Sequence, residues 1–293
     1  MLYGLAHEAQ KSGDYREWLK RRALEHSRDV ILDNAADELG AGMTGQSLFD
    51  LSNEIKPQEL ILPDVLQDSD RTLKNTFDFY DTFFKDVSEA SSPRFMVVAQ
   101  GETLEEYLYC LREFYAWGKY SVLGIPYDID FDVPSDGFLQ VTNLDTLESY
   151  DGLSLVFDED TRTVKRAKRR LNLVRYLQKL QLLSQPVHLL GMNNLKELKA
   201  YQYSSARNWI RSNDTTAPFA AASTERTWSF GESAEKNWDA LDFEVEWTEE
   251  QLQVARRNLF FYIEACGDIE AMYRFAEVNS EVSPRVEPVW NRV

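Results

Sequence analysis

Short apolar runs alternate with longer amphipathic stretches along the first two thirds of the chain. Five of these runs predict buried strands, because each has an apolar centre and ends in polar residues, glycine or proline. They cover residues 29–34, 59–64, 94–101, 120–126 and 186–191, and a weaker run covers 208–214. Strands that are apolar on both faces are typical of a parallel sheet covered by helices on both sides.

The stretches between these runs carry apolar residues at helical spacing. Over residues 8–27, one face of a predicted helix carries Tyr15, Trp18, Leu19 and Leu24. Further helices are predicted over residues 70–86, 103–117, 164–184 and 193–202. The chain begins almost directly with the helix over 8–27.

The alternation of at least six strands with helices predicts an α/β fold. No strand is followed by the glycine-rich fingerprint of a dinucleotide-binding sheet, which favours a TIM-type (β/α)8 barrel, regular or irregular, over a doubly wound sheet. After residue 236 the pattern is helical, and Thr248 and Gln251 have the spacing of a capping box. We therefore predict a barrel domain over 1–235 and a C-terminal helical segment over 236–293 that packs on the barrel.

The composition is typical of a folded globular protein and argues against a disordered, disulfide-rich or membrane-spanning one. The chain has 293 residues, of which 43% are hydrophobic, so it has enough apolar material for a sizeable core and is not a disordered chain. Cys110 and Cys266 are its two cysteines, too few for a disulfide framework or a four-cysteine zinc site. No run reaches the roughly 18–20 apolar residues that cross a bilayer, and the first residues lack the features of a signal peptide. We expect a cytoplasmic protein with no membrane partner.

The charge is strongly acidic overall but is unevenly distributed. A net charge of −17 argues against a protein that coats nucleic acid without specificity. One short segment is nevertheless strongly basic, with Arg162, Lys165, Arg166, Lys168, Arg169 and Arg170. This basic segment is either the solvated face of a helix or a patch that contacts the phosphates of a nucleic acid.

Polar residues and glycines stand at the ends of the predicted strands. They are Asp33, Asn34, Asp64, Gln100, Gly101, Gly124, Gly191 and Asp214. In (β/α) barrels the chemistry takes place at the carboxyl ends of the strands. Any one of the three aspartates could instead cap a helix or hold a turn. Three at equivalent positions are harder to explain in that way, and together they predict a carboxylate site.

Other kinds of catalytic site find little support in the sequence. His188 falls within a predicted strand, three residues before its end, where a core or supporting role is expected. No histidine and cysteine spacing of a metal site is present, and we expect neither a metal nor a cofactor. Carboxylates that act as acid, base and nucleophile remain, and these are the groups of glycosyl transfer. Closely spaced carboxylates are also expected to raise the pKa of one of them.

Six segments resemble a known family. In chain order they are ILDNAADELG, ELILPDVL, RFMVVAQG, YSVLGIP, PVHLLGM and IRSNDTTAP, and together they span residues 29–218. They resemble the active-site strands of the tRNA-guanine transglycosylase superfamily. They are more similar to the phage-type members that insert 7-deazaguanine bases into DNA.

The resemblance implies roles for particular residues. Asp214 matches the nucleophile, and Asp33 matches the catalytic aspartate that gives and takes the proton. The residues implied to bind the base are Asn34, Asp64, Gln100, Gly101, Gly124 and Gly191. Two departures are clear: the glycines that follow the family's first aspartate are replaced by Asn34-Ala35-Ala36, and its glycine pair is reduced to Gly124-Ile125. Because the chain starts almost directly at a helix, we also expect the family's usual first strand to be missing or replaced.

The function implied by this resemblance is a guanine transglycosylase, which is a pentosyltransferase. It would replace guanine in DNA with a 7-deazaguanine derivative through a covalent glycosyl-aspartate intermediate. Its partners would be DNA and the free 7-deazaguanine base, in the host cytoplasm if a phage encodes the protein. The tRNA enzymes carry a Cys₃His zinc site that two cysteines cannot form, so the same reaction on tRNA is the alternative. A non-catalytic barrel that binds nucleic acid or a nucleobase, and a nucleosidase that transfers the sugar to water, also stay open.

Overall fold

A computed structural model describes ten stretches of the chain. They are residues 2–25, 30–134, 140–142, 149–151, 162–192, 194–202, 204–215, 217–226, 228 and 247–266. The chain divides into two compact units. The first comprises Met1–Pro134, Arg175–Leu190 and Trp209–Asn213, and the second comprises Ser135–Val174, Gly191–Asn208 and Asp214–Val293.

The first unit contains a parallel sheet of seven strands. In sheet order these are β1 (Leu2–Leu5), β2 (Val30–Asp33), β3 (Glu59–Ile61), β4 (Arg94–Val98), β5 (Val122–Ile125), β8 (Val187–Leu189) and β9 (Ile210–Asn213). Every neighbouring pair runs parallel. In the second unit, β6 (Gln140–Thr142) and β7 (Ser149–Asp151) form a separate antiparallel pair.

Helices connect and flank the strands. The α-helices are α1 (Ala6–Lys11), α2 (Gly13–Leu24), α3 (Ala36–Leu39), α4 (Gly45–Ile55), α5 (Ser69–Phe83), α6 (Leu104–Trp117), α7 (Arg162–Lys179), α8 (Leu195–Gln202), α9 (Ala217–Ser223) and α10 (Glu249–Cys266). Short 3₁₀ turns lie at Glu89–Ser91 and Ser205–Trp209. Among the described residues, no helix is both long enough and apolar enough to cross a membrane.

Side-chain contacts between distant strands show that the sheet is curled. In a flat sheet with strands about 4.8 Å apart, β3 and β9 would be separated by roughly 19 Å, because three strands lie between them. Arg211 on β9 nevertheless donates to both carboxylate oxygens of Glu59 on β3, at 2.7 Å each. Tyr3 on β1 stacks on His188 of β8 with ring centroids 5.8 Å apart. The concave face of the sheet brings these side chains together.

The same concave face holds an apolar core. Its members are Ile31, Ile61, Met96, Val98 and Val122, with Tyr3 and Leu190 packed against them. Because side chains alternate along a strand, Asp33 lies on the same face as Ile31, at the carboxyl end of β2. The curled sheet therefore carries apolar side chains in its middle and polar side chains at its carboxyl edge.

The predicted strands are confirmed, including the weak one over residues 208–214. The α/β class is confirmed with a curled parallel sheet. The expectation that the first strand is missing or replaced is wrong, because β1 pairs along its whole length with β2. This strand is only four residues long and leads directly into α1, so its alternation is too short to recognise in the sequence.

The helix predicted over residues 8–27 is two helices. Ser12 has an extended backbone (φ −108°, ψ 113°), and its hydroxyl group accepts a hydrogen bond from the backbone N–H of Tyr15 at 3.3 Å. Ser12 thus ends α1 and caps α2, which is a common role for serine. Three helices, α3, α4 and α9, were not predicted at all.

The C-terminal helix begins as predicted. The side chain of Gln251 accepts from the Thr248 N–H at 3.0 Å, and the Thr248 hydroxyl accepts from the Gln251 N–H at 3.2 Å. This confirms the capping box before α10. The predicted boundary between residues 235 and 236 lies outside the described residues and stays a prediction.

Candidate functional site

A buried cluster of polar side chains lies at the carboxyl ends of β2, β3 and β4. Asp64 accepts a hydrogen bond from the Asn34 amide on Oδ1, at 2.8 Å, and from the Gln100 amide on Oδ2, at 2.7 Å. All three side chains are buried, with no more than 4% of any residue exposed. We refer to Asn34, Asp64 and Gln100 as the Asp64 cluster.

Backbone contacts fix which way both amides of the Asp64 cluster face. The Asn34 Oδ1 accepts from the N–H of Ala36 at 2.9 Å, and the Gln100 Oε1 accepts from the N–H of Gln67 at 3.1 Å. Because the amide oxygens are engaged in this way, the amide nitrogens face Asp64 as donors. Asp64 therefore receives a donor on each oxygen, which favours its ionised form.

Burial and hydrogen bonding act on Asp64 in opposite directions. Burial raises the pKa of the Asp64 carboxyl group to about 6, while hydrogen bonds from Asn34 and Gln100 oppose the rise. The direction agrees with the predicted rise in the pKa of one aspartate, but the predicted cause, repulsion among the strand-end aspartates, does not contribute. The main cause of the rise is burial, and the nearby charge of Asp37 contributes only a small part.

A glycine-containing segment encloses the Asp64 cluster. The N–H of Gly42 donates to the Asp64 carbonyl group, and the N–H of Met43 donates to that of Asn34, both at 2.7 Å. A Cβ atom at Gly42 would lie only 2.8 Å from the Asn34 Cγ, so a side chain there would displace Asn34. Asn34, which the resemblance implies as a base-binding residue, is fully buried and donates to Asp64, so it also holds Asp64 in position.

Asp33 ends β2 on the concave face of the sheet. It is 9% exposed, and the next residue but one, Ala35, has a left-handed backbone (φ 64°) that turns the chain into α3. Tyr15 of α2 lies nearby. Burial raises the pKa of the Tyr15 hydroxyl group, and the negative charge of Asp33 adds to the rise.

Two of the predicted glycines have steric reasons to be glycine. A Cβ atom at Gly101 would lie 2.5 Å from the backbone nitrogen of Tyr107, at the start of α6. A Cβ atom at Gly124 would lie 2.9 Å from Cγ2 of Val98 and 3.2 Å from the sulfur of Met96. Both positions are therefore required to be small by packing, whether or not a ligand approaches them.

In the second unit, two backbone N–H groups hold Asp214. The N–H of Gly191 donates to Asp214 Oδ1 at 3.0 Å, and the N–H of Met192 donates to the Asp214 carbonyl group at 2.7 Å. Gly191 has a left-handed backbone (φ 64°), which glycine adopts easily. The Thr215 hydroxyl group donates to the Met192 carbonyl group. Asp214 is partly exposed as a residue, and the Gly191 N–H holds its carboxylate.

The basic segment lies on α7, and its members differ in exposure. Lys165 is exposed, and three others are partly exposed, namely Arg166, Lys168 and Arg169. The side chain of Arg162 lies outside the described residues.

Arg170 cannot contact phosphates as predicted. It is fully buried and forms a bidentate ion pair with Glu197, with N···O distances of 2.7 and 2.9 Å. The physical reason is helical spacing, because the buried residues of α7 that recur every three or four positions are Ala167, Arg170, Leu171 and Val174. That spacing was present in the sequence, but the run of positive charge obscured it.

His188 occupies the core position that was predicted for it. It is 1% exposed, and its Nδ1 lies 2.8 Å from the Ser212 hydroxyl group. Within the described ranges, no three or more histidine, cysteine, aspartate or glutamate side chains are grouped so that they could hold a metal ion.

A separate groove lies at the opposite edge of the sheet. It has a volume of about 630 Å³, and residues that line it include Phe49, Lys56, Gln58, Phe84 and Arg94. Gln58 and Arg94 stand at the start of β3 and β4, whereas the Asp64 cluster stands at the ends of these strands. This groove is therefore not part of the candidate site.

The fold and the site together define an α/β protein with a curled parallel sheet and a buried carboxylate at the carboxyl edge of that sheet. The first unit holds Asp33 and the Asp64 cluster, and the second unit holds Asp214 with Gly191. No protein-family model matches the chain, and no curated protein matches it.

Proposed function

We propose that this protein is a guanine transglycosylase of the phage type, a pentosyltransferase that replaces guanine in DNA with a 7-deazaguanine derivative. The observation that carries the proposal is the Asp64 cluster. Its carboxylate is buried at the carboxyl edge of a curled parallel sheet and is arranged to accept hydrogen bonds. We also propose that the seven strands belong to an irregular (β/α)8 barrel, because such barrels carry their chemistry at this edge.

In this proposal, Asp64 recognises the base. A carboxylate accepts hydrogen bonds only, and guanine offers two neighbouring donors, the N1–H and the exocyclic amine. Adenine has no hydrogen on N1 and cannot offer this pair. Gln100 donates one amide hydrogen to Asp64 and keeps a second one for the O6 and N7 side of guanine.

Asp214 acts as the nucleophile. Its carboxylate, oriented by the Gly191 N–H at Oδ1, attacks the anomeric carbon C1′ of the nucleotide. The bond between C1′ and guanine N9 breaks, its electron pair goes to the base, and a covalent glycosyl-aspartate intermediate forms. Guanine takes up a proton as it leaves, and Asp33 is the proposed donor.

The incoming base completes the exchange. The 7-deazaguanine derivative attacks C1′, gives its N9 proton to Asp33 and displaces the carboxylate of Asp214. Two displacements at C1′ retain the configuration of the sugar. Because the proton that Asp33 gives to guanine is replaced by one from the incoming base, no cofactor or net proton is needed.

A nucleic acid is the proposed partner because part of the basic segment is accessible, and DNA is proposed over tRNA because two cysteines cannot form the zinc site of the tRNA enzymes. Lys165 is exposed and Arg166, Lys168 and Arg169 are partly exposed on a chain whose net charge is −17. These residues would contact phosphates while the target nucleotide leaves its stack, at a cost of roughly a few kcal/mol. If a phage encodes the protein, its proposed site of action is the cytoplasm of the host cell.

The test is exchange of radiolabelled guanine into DNA and into tRNA, measured in parallel. We expect label to enter DNA with the wild-type protein and not with Asp214→Asn. Asp78→Asn is the matched control, because it removes the same charge from an exposed position on α5 and should exchange at the wild-type rate. Label in tRNA alone would overturn the choice of DNA. Release of guanine with no incorporation would indicate a nucleosidase and overturn the transfer reaction.

A further inference from the structure

An ion pair is completely buried in the second unit. Arg170 of α7 donates from Nε to Oε1 of Glu197 on α8 at 2.7 Å, and from Nη2 to Oε2 at 2.9 Å. Neither side chain is exposed to solvent. Two well-packed apolar side chains in the place of such a pair usually give equal or greater stability, because removing both charges from water is costly. Its presence therefore suggests a role other than stability.

The ion pair contacts the residue that holds Asp214. Nη2 of Arg170 lies 3.4 Å from the sulfur of Met192 and donates to it. The N–H of Met192 in turn donates to the Asp214 carbonyl group, and the N–H of Gly191 donates to its carboxylate. A continuous set of contacts thus runs from Glu197 through Arg170 and Met192 to Asp214.

The turn at Gly191 and Met192 needs an external constraint. Gly191 adopts a left-handed conformation, and glycine has little intrinsic preference for any one conformation. The Met192 side chain has three rotatable bonds and adapts readily to its surroundings. Arg170 is itself immobilised by two hydrogen bonds to Glu197, so it can fix Met192, which is fully buried.

We propose that Arg170 and Glu197 are positioning residues for Asp214, acting through Met192. They hold the N–H groups of Gly191 and Met192 in the orientation that fixes the Asp214 carboxylate. The inference rests on the proposed function, in which Asp214 is the nucleophile. A misplacement of about 1 Å in such a group can lower the rate about 100-fold.

The chain offers a matched control pair in the first unit. Glu59 is fully buried and accepts two hydrogen bonds from Arg211, from Nη1 and Nη2, at 2.7 Å each, which is also a bidentate arrangement although the Arg211 side chain is 20% exposed. None of the hydrogen bonds of this pair involves Gly191, Met192 or Asp214. Apolar replacement of either pair thus removes the same kind of ion pair, and only one replacement removes a contact to the turn that holds Asp214.

The experiment compares Arg170→Met/Glu197→Leu with Glu59→Leu/Arg211→Met. Hydrogen exchange is measured by mass spectrometry over residues 189–193 and 212–215, and kcat and KM are measured by guanine exchange. For the first double variant we expect faster amide exchange in these two segments and a kcat lower by about 10- to 100-fold, with KM changed less than about threefold. The control double variant should match wild type in kcat and in amide exchange over residues 189–193. Residues 212–215 are not compared in the control, because Arg211 directly precedes them and its Nε donates to the Ser212 hydroxyl group at 3.3 Å.

The other possible outcomes either overturn the positioning role of Arg170 and Glu197 or separate it from the proposed function. Unchanged amide exchange and kcat in Arg170→Met/Glu197→Leu would overturn the inference and leave the proposed function standing. Equal acceleration of amide exchange in the control variant would also overturn it, because the effect would then be general loosening. If the wild-type protein shows no guanine exchange, faster amide exchange confined to these segments still supports the positioning role, while the proposed function fails.

A second variant covers the case in which the double variant does not fold. Met192→Leu keeps the volume and the backbone contacts to Asp214 but removes the sulfur that accepts from Arg170. It should also accelerate amide exchange at residues 189–193 and lower kcat, by a smaller factor than the double variant. Wild-type values for both readouts in Met192→Leu would overturn the inference.

Discussion

The Asp64 carboxylate combines burial with hydrogen bonding in a way that suits a ligand with two neighbouring donors. Burial raises the pKa of Asp64 to about 6, so the group is still mainly ionised at neutral pH. It is 3% exposed and lacks the hydration of a surface carboxylate. A guanine edge would supply donors that water does not supply there, and this difference favours binding.

Stability should depend on pH through Asp64. Its pKa is about 6 in the folded protein and about 3.9 in an unfolded chain, so the folded state binds the proton more tightly. The contribution of Asp64 to the free energy of unfolding therefore falls as the pH rises from about 4 to about 6, by about 3 kcal/mol in total. Urea unfolding over this range should show the fall in wild type and lose it in Asp64→Asn. The same pH dependence in wild type and Asp64→Asn would show that Asp64 is not the group responsible for the fall in stability.

Base binding should respond to pH in the opposite direction. Only the ionised carboxylate of Asp64 accepts both donors of guanine, so the KM for guanine should decrease as the pH rises through about 6. Asn34→Ala removes a hydrogen bond to the charged form, worth about 1.5 kcal/mol, and should move this midpoint upward by about one pH unit. Asn53→Ala, at an exposed position, is the control. An unchanged midpoint in Asn34→Ala would show that Asn34 does not stabilise the ionised Asp64.

For single residues, the sequence predicted which side chains belong to the candidate site better than it predicted the contacts that they make. Asp33, Asp64 and Gln100 stand at strand ends as expected. The partnership of Asn34 with Asp64 was not predicted, because the two residues are 30 positions apart and only the pairing of β2 with β3 brings them together. Glu197 was missed because a lone glutamate in an amphipathic helix is usually on the solvated face.

The elements were predicted where their apolar pattern is continuous. Fully buried parallel strands have apolar residues on both faces, so β2 to β5 and β8 could be recognised from the sequence. The pattern failed where elements are short or adjoin without a turn, as at β1 and at the Ser12 break between α1 and α2. It also failed for the paired strands β6 and β7, which are three residues each.

The exposed part of α7 should carry the salt dependence of DNA binding. Each phosphate contact contributes about 0.9 to the slope of log K against log salt concentration for duplex DNA. We therefore expect Arg166→Glu/Arg169→Glu to weaken DNA binding and reduce this slope by about 1 to 2, as measured by fluorescence anisotropy at several salt concentrations.

The matched control changes the same charge on another helix. Arg21→Glu/Arg22→Glu alters two neighbouring side chains of α2 that are both exposed, and it shifts the net charge by the same amount. It should leave the slope close to the wild-type value. Equal losses in the two double variants would mean that overall charge, and not the α7 surface, governs binding.

For the whole molecule, contacts across the concave face keep the sheet curled. Glu59 and Arg211 are 152 positions apart in the chain, so nothing in the local sequence predicts their pairing. The register between β8 and β9 shifts by one residue at Arg211, which has no partner on β8. This extra residue is the one that contacts Glu59. The arrangement of these strands around one core could be expected from the fold class, but the ion pair between them could not.

Breaking this ion pair on one side should destabilise the protein. Among the described residues, Arg211→Met leaves Glu59 with the more distant Arg94, at 3.7 Å, as its remaining ion-pair partner, and it should lower the free energy of unfolding by about 3 kcal/mol. The double variant Glu59→Leu/Arg211→Met should recover most of this loss. Arg94→Ala, at a half-exposed position, should cost less than about 1 kcal/mol. A double variant as unstable as Arg211→Met in urea unfolding would contradict this account.

The covalent intermediate on Asp214 is the central claim, and trapping it is the most direct test. The protein is mixed with a guanine-containing DNA oligonucleotide without any incoming base, denatured, and analysed by intact mass and peptide mapping. The account predicts a protein–DNA adduct that maps to Asp214, releases guanine as it forms, and is absent with Asp214→Asn. Guanine release with no adduct, or an adduct that persists in Asp214→Asn, would contradict it.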